Sequence, residues 1–158
     1  MEYKTNVMRI LDKEKAEYVP HSYAGTGALS GAEAASAMGI DPDCVFKTLV
    51  TVGKSKKNYV FVIPVHEELD LKRAAAAVGE KSVEMIKQKE LLPLTGYIHG
   101  GCSPIGMKKF FTTTLHESAK TKETITFSAG KIGYMVEMSA DTLSKVIDLS
   151  YGDVIVHK

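Results

Sequence analysis

The first residue whose position suggests chemistry is Lys47, in the segment Val45-Phe-Lys-Thr-Leu-Val-Thr-Val52. This segment is rich in β-branched residues and is predicted to be a strand, with Lys47 on the same face as Leu49. Both faces are mostly apolar, which is typical of a strand covered on both sides. A lysine there must extend its head into water, pair with a carboxylate, or line a cavity. The strand pattern alone does not separate a solvated head group from a cation at the mouth of a pocket.

Two glycine-rich segments also have compositions that suit a binding site. Residues 95–106 contain four glycines, a proline and a serine, and residues 127–133 again consist largely of small side chains. Such loops expose their backbone and can direct N–H groups at an oxyanion or a phosphate. Ser128, in the second segment, is positioned either to donate a hydrogen bond into a pocket or to hold its own turn. Plain turns between strands remain the alternative for both segments.

The cysteines and histidines give little support for a metal site or a self-sufficient nucleophile. Cys102, in the first glycine loop, is a candidate nucleophile with His99 or His21 as its base, or simply a small packing residue. We favour packing, because free cysteine is commonly a filler side chain. No zinc-type spacing occurs, so we expect neither a metal nor another cofactor. The histidines are scattered, at positions 21, 66, 99, 116 and 157.

Length and composition indicate one ordinary soluble domain spanning residues 1–158. The chain is 44% hydrophobic and 25% charged, and 20 Lys+Arg against 19 Asp+Glu give a net charge of +1. This balance argues against strong nucleic-acid binding by bulk charge, and no DNA partner is expected. The longest apolar run, residues 59–63, is far too short to cross a membrane, and no secretory leader is apparent. With two cysteines, a reducing, cytoplasmic location is expected.

Helical and strand-like segments alternate along the chain, and hairpin-like spacings favour a mixed or antiparallel sheet. We predict an α+β fold, a single domain with a curved, barrel-like sheet flanked by helices. The first helix is predicted over residues 5–15, and the second is an alanine-rich helix that follows the capping box at residues 30–33 and is closed by Gly39. Further helices are predicted over residues 71–78, opened by Asp70 and stopped by Gly79, over 87–92 before Pro93, and over 140–146 after the cap Ser139. The strands are predicted over residues 18–23, 45–52, 59–65, 81–86, 97–99, 110–115, 124–128 and 134–138.

Five ordered pieces of this sequence resemble the YbaK family. They are Phe46-Lys-Thr-Leu-Val50, Leu69-Asp-Leu-Lys-Arg-Ala-Ala75, Thr95-Gly-Tyr97, Gly100-Gly-x-Ser-Pro-x-Gly106-x-Lys-Lys109 and Ser128-x-Gly130-x-x-Gly133. This family comprises free-standing aminoacyl-tRNA deacylases related to the editing domain of bacterial prolyl-tRNA synthetases. The Lys-Thr-Leu strand and the Gly-Gly-x-Ser-Pro loop resemble the branch acting on Cys-tRNA(Pro), rather than the branch acting on Ala-tRNA(Pro).

The resemblance implies an enzyme that removes cysteine from mischarged tRNA(Pro), and from Cys-tRNA(Cys), in transient partnership with prolyl-tRNA synthetase. It implies that Lys47 is the key catalytic residue. The residues that it implies around the terminal adenosine and the aminoacyl ester are Tyr23, Thr48, Gly100, Gly101, Ser103, Pro104 and Ser128. Residues 24–29 fall in a region that varies among relatives, so no pocket residues are assigned there.

The implied substrate suggests a mechanism that needs no enzyme nucleophile. A cysteinyl ester carries a thiol with an ordinary pKa of about 8.5, and a nearby ammonium would raise its ionised fraction. We hypothesise that this sulfur attacks its own ester carbonyl while the backbone at Gly100 and Gly101 stabilises the oxyanion. The cysteine would leave as a thiolactone that water then opens.

Three other functions remain open. One is a deacylase that acts on another aminoacyl-tRNA, such as Ala-tRNA(Pro). The second is a non-catalytic module that binds an aminoacyl-adenosine or a nucleotide, and the third is a small-molecule esterase or thioesterase that uses Cys102. Lysines at positions 54, 56, 57, 108, 109, 120 and 122 form either a local phosphate-facing rim or, more commonly for such runs, solvated loop tips.

Overall fold

The computed structural model describes residues 3–28 and 31–158, and within them the chain forms five α-helices and eight β-strands. The helices are α1 (Asn6–Lys13), α2 (Gly31–Met38), α3 (Leu71–Val78), α4 (Gln88–Thr95) and α5 (Ala140–Val146). The strands are β1 (Val19–Ser22), β2 (Phe46–Gly53), β3 (Asn58–Pro64), β4 (Val83–Met85), β5 (Thr112–His116), β6 (Ile125–Ser128), β7 (Tyr134–Met138) and β8 (Ser150–Gly152). None of the helices in these two ranges is long and apolar enough to cross a membrane.

Capping residues fix several helix ends, and those of α3 and the start of α5 are the ones that the sequence predicts. The Thr5 side chain accepts from the Met8 N–H, and Asp70 accepts from the first-turn amides of α3. Gly79 ends α3 in a left-handed conformation, at φ 74°. Ser139 caps α5 by accepting from the Thr142 N–H. The capping box predicted at Ser30 lies outside the described residues.

The strands form two sheets. A five-stranded mixed sheet has the order β4-β2-β3-β5-β8, in which β2 and β3 form the predicted antiparallel hairpin and β5 runs parallel to both β3 and β8. A three-stranded antiparallel sheet has the order β1-β7-β6. The α+β class and the mixed sheet are therefore confirmed.

The two sheets meet at one bridge, between Val45 and Thr126, and the barrel does not close. Val45 directly precedes β2, so the bridge holds β6 against the start of that strand. The largest apolar core lies between the sheets and is closed by α1, α4 and α5, while α3 covers the other face of the large sheet. A small third core beneath α2 includes Ala34, Ala35 and Met135.

Helix α4 extends past the proline that is predicted to end it. Pro93 lies inside the helix, which continues to Thr95 and ends at Gly96, at φ 86°. The Leu91 and Leu94 side chains pack against the main core, and this burial offsets the roughly 3 kcal/mol that an interior proline costs. Tertiary packing thus overrides the local stop signal.

Two further sequence predictions are wrong. Residues 97–99 do not form a strand, because Ile98 begins a tight turn in which the Gly101 N–H donates to the Ile98 carbonyl at 3.0 Å. Strand β8 was not predicted, because three residues are too few to show an alternating pattern.

Tyr97 lies between the two glycine-rich loops. Its hydroxyl donates a hydrogen bond to the carbonyl of Ile105, which closes the loop that contains Gly100. A Cβ on Gly130, in the second loop, would lie 2.9 Å from the Tyr97 ring and 3.0 Å from a methyl of Val7 on α1. Gly130 also has φ 90°, so both its backbone conformation and its surroundings require glycine.

We expect Gly130→Ala to lower the free energy of unfolding by about 1–3 kcal/mol more than Gly25→Ala does, because only position 130 is tightly packed. Gly25 is the matched control, since its φ is 80° but nothing lies within 4 Å of an added Cβ. Urea denaturation of both variants measures the difference. Equal losses would contradict the close packing of Tyr97 against the second loop.

Candidate active site

A cavity of about 580 Å³ opens where the two sheets diverge, beside the first half of β2. One wall comes from β2 and the residue that follows β3, and the facing walls come from α2, α4 and the two glycine loops. Its lining residues are Tyr23, Ala28, Gly31, Phe46, Lys47, Thr48, Leu49, Val65, Leu91, His99, Gly100, Cys102, Ser128, Ile132 and Met135. A second, wider groove of about 640 Å³ beside Tyr18, Val19 and Glu137 contains none of the glycine-loop residues.

Lys47 lines this cavity and is half-buried. In the parts of the chain that the structure describes, no carboxylate lies within ion-pair distance of its Nζ. Burial lowers the pKa of the Lys47 ammonium below its ordinary value, while the more distant carboxylates of Glu68 and Glu67 oppose part of this shift. The strand pattern left open whether the Lys47 head group is solvated or lies at the mouth of a pocket. The structure favours the pocket.

Thr48 brings the backbone of β2 to the cavity. Strand β4 covers the outer edge of β2 only from Thr51 to Gly53, so within residues 3–28 and 31–158 no strand pairs with that edge at Thr48. The Val50 carbonyl accepts from the Ile86 N–H across this edge at 3.3 Å, and Thr48, two residues earlier, directs its own N–H and C=O the same way. The Thr48 hydroxyl itself is buried, and no described residue bonds to it.

Gly100 lines the cavity at φ 87°, at the tip of the Ile98–Gly101 turn. Among the described residues, none accepts a hydrogen bond from the Gly100 N–H. The Gly101 N–H, by contrast, is donated to Ile98, so the sequence-based hypothesis that both glycine amides serve an oxyanion needs correction. Gly101 instead packs its Cα side against the second loop, where a Cβ would lie 3.2 Å from the Ile132 nitrogen.

Ser103 and Pro104 lie behind the cavity wall and do not line it. Both are buried, and the Ser103 hydroxyl accepts from the Ile105 N–H at 3.3 Å. This contact holds the loop in shape without exposing a polar group to the cavity. The structure thus assembles five of the eight residues that the family resemblance implies, and leaves Gly101, Ser103 and Pro104 as supports of the loop.

Tyr23 and Ser128 approach the cavity from the smaller sheet. The Tyr23 N–H donates to the Gly133 carbonyl at 2.8 Å, which extends the pairing of β1 with β7. Ser128 lies opposite Met135 in the sheet, and its hydroxyl accepts from the Gly130 N–H at 3.1 Å. The proton of the Ser128 hydroxyl is not used by that bond and can be donated into the cavity.

Cys102 lines the cavity but is poorly suited to attack a substrate. It is buried, and burial raises the pKa of its thiol to about 12, so the thiol stays protonated at neutral pH. His21 is engaged elsewhere, since its Nε2 lies 2.8 Å from a carboxylate oxygen of Glu137. These contacts favour the packing role of Cys102 over a nucleophilic one.

Sequence reasoning missed most of the apolar lining. Val65, Leu91, Ile132 and Met135 come from four separate parts of the chain, and nothing in their local patterns marks them as neighbours. Their contribution is a water-poor wall facing Lys47, which strengthens electrostatic interactions inside the cavity. Only the three-dimensional arrangement identifies them.

The lysine clusters do not form one rim around this cavity. Lys54 follows the far end of β2, seven residues or roughly 23 Å along the strand from Lys47. Lys108 lies beside the first glycine loop, where its side chain would be 3.3 Å from a Cβ on Gly96. Across residues 3–28 and 31–158, no group of three or more His, Cys, Asp or Glu side chains is placed to hold a metal ion.

An α+β domain with a half-buried lysine facing two glycine loops is the class that this fold and site define. The model of the aminoacyl-tRNA editing domain matches residues 27–146, which include every lining residue of the cavity except Tyr23. The chain belongs to this family of aminoacyl-tRNA editing domains, and the resemblance seen in its sequence motifs is confirmed.

Two curated relatives are similar over different lengths. A protein of Enterococcus faecalis, provisionally named Cys-tRNA(Pro)/Cys-tRNA(Cys) deacylase EbsC, is 43% identical over 152 residues, covering 96% of this chain and 93% of the relative. A proline–tRNA ligase of Shouchella clausii is 33% identical over 76 residues, which is 48% of this chain and 13% of the ligase. The first relative therefore matches from end to end, and the second only in part.

Solved structures with the same fold are more distant in sequence. One is provisionally named a trans-editing enzyme for prolyl-tRNA synthetase, with a TM-score of 0.83, 21% identity and coverage of 98% of this chain and 100% of that one. A hypothetical protein gives a TM-score of 0.87 at 20% identity, covering 96% of this chain and 100% of that one. At these identities the likeness establishes the fold alone.

We expect Lys47→Met to be at least as stable as the native protein at pH 7, because it removes a half-buried ammonium that lacks a close carboxylate. The folded pKa of Lys47 lies below its unfolded value, so the charge destabilises the fold at neutral pH and this cost fades as pH rises through the folded pKa. Urea denaturation at pH 7 and pH 10 should therefore show an advantage for Lys47→Met that shrinks at pH 10. A clear loss of stability at pH 7 would contradict the unpaired ammonium.

Proposed function

We propose that this chain is a free-standing deacylase of cysteine esterified to tRNA, acting on Cys-tRNA(Pro) and on Cys-tRNA(Cys). The observation that carries the proposal is a cavity that holds a half-buried lysine cation, while the one cysteine among its lining residues, Cys102, stays protonated at neutral pH. Such a site suits a substrate that brings its own nucleophile, and a cysteinyl ester brings a thiol. The 43% identity to EbsC over nearly the full length supports the same substrate class.

In the proposed reaction the substrate sulfur attacks the carbonyl carbon of its own ester. A carbon–sulfur bond forms, the bond to the ribose oxygen breaks, and the thiol proton ends on that oxygen. The products are a tRNA with a free terminal hydroxyl and a cysteine thiolactone, which water later opens to cysteine. The Lys47 ammonium raises the thiolate fraction and anchors the reacting end, so the enzyme supplies orientation and electrostatics.

Two backbone N–H groups are candidates to stabilise the oxyanion of this reaction. The Gly100 N–H has no acceptor among the described residues, and the Thr48 N–H faces the unpaired edge of β2. Both belong to cavity-lining residues, on opposite sides of the space. Ser128, whose hydroxyl keeps a free proton, is assigned to the ribose or the amino-acid end of the ester.

The proposed cellular setting follows from the substrate. Misacylated tRNA(Pro) is made by prolyl-tRNA synthetase, so we place this chain in the cytoplasm beside that enzyme, in a transient complex through the shared tRNA. The near-neutral net charge of +1 suits an editor that receives its tRNA from a partner and does not compete for it by bulk charge.

Incubating the purified protein with Cys-tRNA(Pro) tests the activity directly. We expect Lys47→Ala to lower the rate of cysteine loss by about 10²-fold or more, because the cation acts on charge that develops in a water-poor site. The remaining aminoacyl-tRNA is counted over time. Lys54→Ala is the matched control, since it removes an exposed lysine at the other end of β2.

The same assay with Ser-tRNA and Ala-tRNA(Pro) tests the role of the thiol. A serine hydroxyl is a much weaker nucleophile at neutral pH, so we expect its loss to be about tenfold slower or more. Equal rates for cysteine and serine would exclude the thiol mechanism. Binding of Cys-tRNA(Pro) without turnover, with or without added prolyl-tRNA synthetase, would instead establish a non-catalytic binding module.

We expect Cys102→Ala to retain the rate of cysteine loss within about twofold, because the buried thiol stays protonated and has no catalytic role. The variant is measured in the same assay, after its unfolding midpoint has been compared with that of the native protein. Loss of activity in a folded Cys102→Ala variant would favour the esterase interpretation, in which Cys102 is the nucleophile.

A further inference from the structure

An exposed apolar surface borders the cavity at Gly100. Ile98 and Ile132 are 53% and 51% exposed, which is unusual for isoleucine. A Cβ on Gly100 would lie 3.6 Å from the Ile132 side chain, so Ile132 adjoins the turn that begins at Ile98. His99, in the same turn, is exposed and lines the cavity. We call Ile98, His99 and Ile132 the exit platform.

The platform is held in place by the backbone beneath it. Hydrogen bonds close both of its turns, from the Gly101 N–H to Ile98 at 3.0 Å and from the Tyr134 N–H to Lys131 at 3.1 Å. Gly101 packs against the backbone of Ile132, which joins the two turns. The two hydrogen-bonded turns therefore hold Ile98 and Ile132 in solvent-exposed positions, so the apolar surface exists before any ligand binds.

Charge around the cavity is strongly asymmetric. The segments that carry the platform, residues 91–116 and 124–136, contain none of the 19 acidic residues of the chain but hold Lys108, Lys109 and Lys131. The acidic groups that act on Lys47 are Glu67 and Glu68, which follow β3. A polyanionic strand that leaves the cavity therefore meets repulsion past β3, whereas the two segments that carry the platform contribute no acidic side chain.

We propose that the single-stranded 3′ end of the tRNA leaves the cavity across the exit platform. This inference rests on the proposed function, in which the terminal adenosine carries the ester inside the cavity. The bases of the preceding nucleotides lay their apolar faces on Ile98 and Ile132 and stack on the His99 ring. Such contacts tolerate any base, because every base has an apolar face, and they suit the CCA end that tRNAs share.

Comparing two substrates isolates this contact. Cys-tRNA(Pro) carries the preceding nucleotides, and 3′-O-cysteinyladenosine lacks them. We expect Ile98→Ser to raise KM for the tRNA about threefold or more, while turnover of cysteinyladenosine stays within about twofold, because Ile98 is not among the lining residues of the cavity. Val19→Ser is the matched control, because Val19 is 52% exposed and lies on β1, four residues or roughly 13 Å along the chain from Tyr23.

A binding measurement separates this inference from the proposed function. The ribotrinucleotide CCA should bind the native protein more tightly than adenosine does, and Ile98→Ser should reduce that advantage, whether or not turnover occurs. Equal binding of CCA and adenosine, or equal losses on both ester substrates, would overturn the exit platform. Absence of turnover with tighter CCA binding would overturn only the proposed catalysis.

Discussion

The position of Tyr97 determines how far apart the two glycine loops lie, and these loops form one side of the cavity. Its hydroxyl donates to Ile105 across the first loop, and its ring fills the space next to Gly130 in the second. Burial raises the pKa of the phenol to about 12, so the hydroxyl remains a donor throughout the neutral range. Because both loops rest on one buried ring, a glycine-rich wall is held rigid, and its backbone amides keep fixed directions.

The opposite side of the cavity exists because the barrel does not close. In the described parts of the chain, one bridge at Val45, just before β2, joins this strand to the small sheet, and β4 pairs with β2 only from Thr51 onward. Between these points its outer edge has no strand partner within residues 3–28 and 31–158, and the two sheets diverge there. Because the sheets do not close there, the backbone of Thr48 and the side chain of Lys47 both border the cavity.

Local signals predicted the elements but not the contacts between distant segments. Asp70, Gly79 and Ser139 act at the helix ends where the sequence predicts them, because capping depends on a few neighbouring residues. The helix end predicted at Pro93 is wrong, because the packing that sustains α4 comes from the core.

The residues of the candidate site also divide into those that the local sequence marks and those that only the folded chain brings together. Lys47 is recognisable in the sequence as a charged residue within an apolar strand, which is unusual because burying an ammonium costs free energy. Nothing local indicates that the Gly101 N–H is donated to Ile98, or that Val65 and Met135 line the same cavity as the glycine loops. Hydrogen-bond use in turns and packing between segments are properties of the folded chain.

A cavity of about 580 Å³ is much larger than a cysteine side chain, so size alone is a weak basis for selection. Differences of one methylene typically give only 10- to 200-fold discrimination, and an editor must spare the abundant correctly charged Pro-tRNA(Pro). Under the proposed mechanism, discrimination comes from chemistry instead of fit. Proline has no thiol, so its ester cannot attack itself even when bound beside Lys47. The protonated state of the buried Cys102 is then a requirement for selectivity, because a thiolate of the enzyme would cleave both esters.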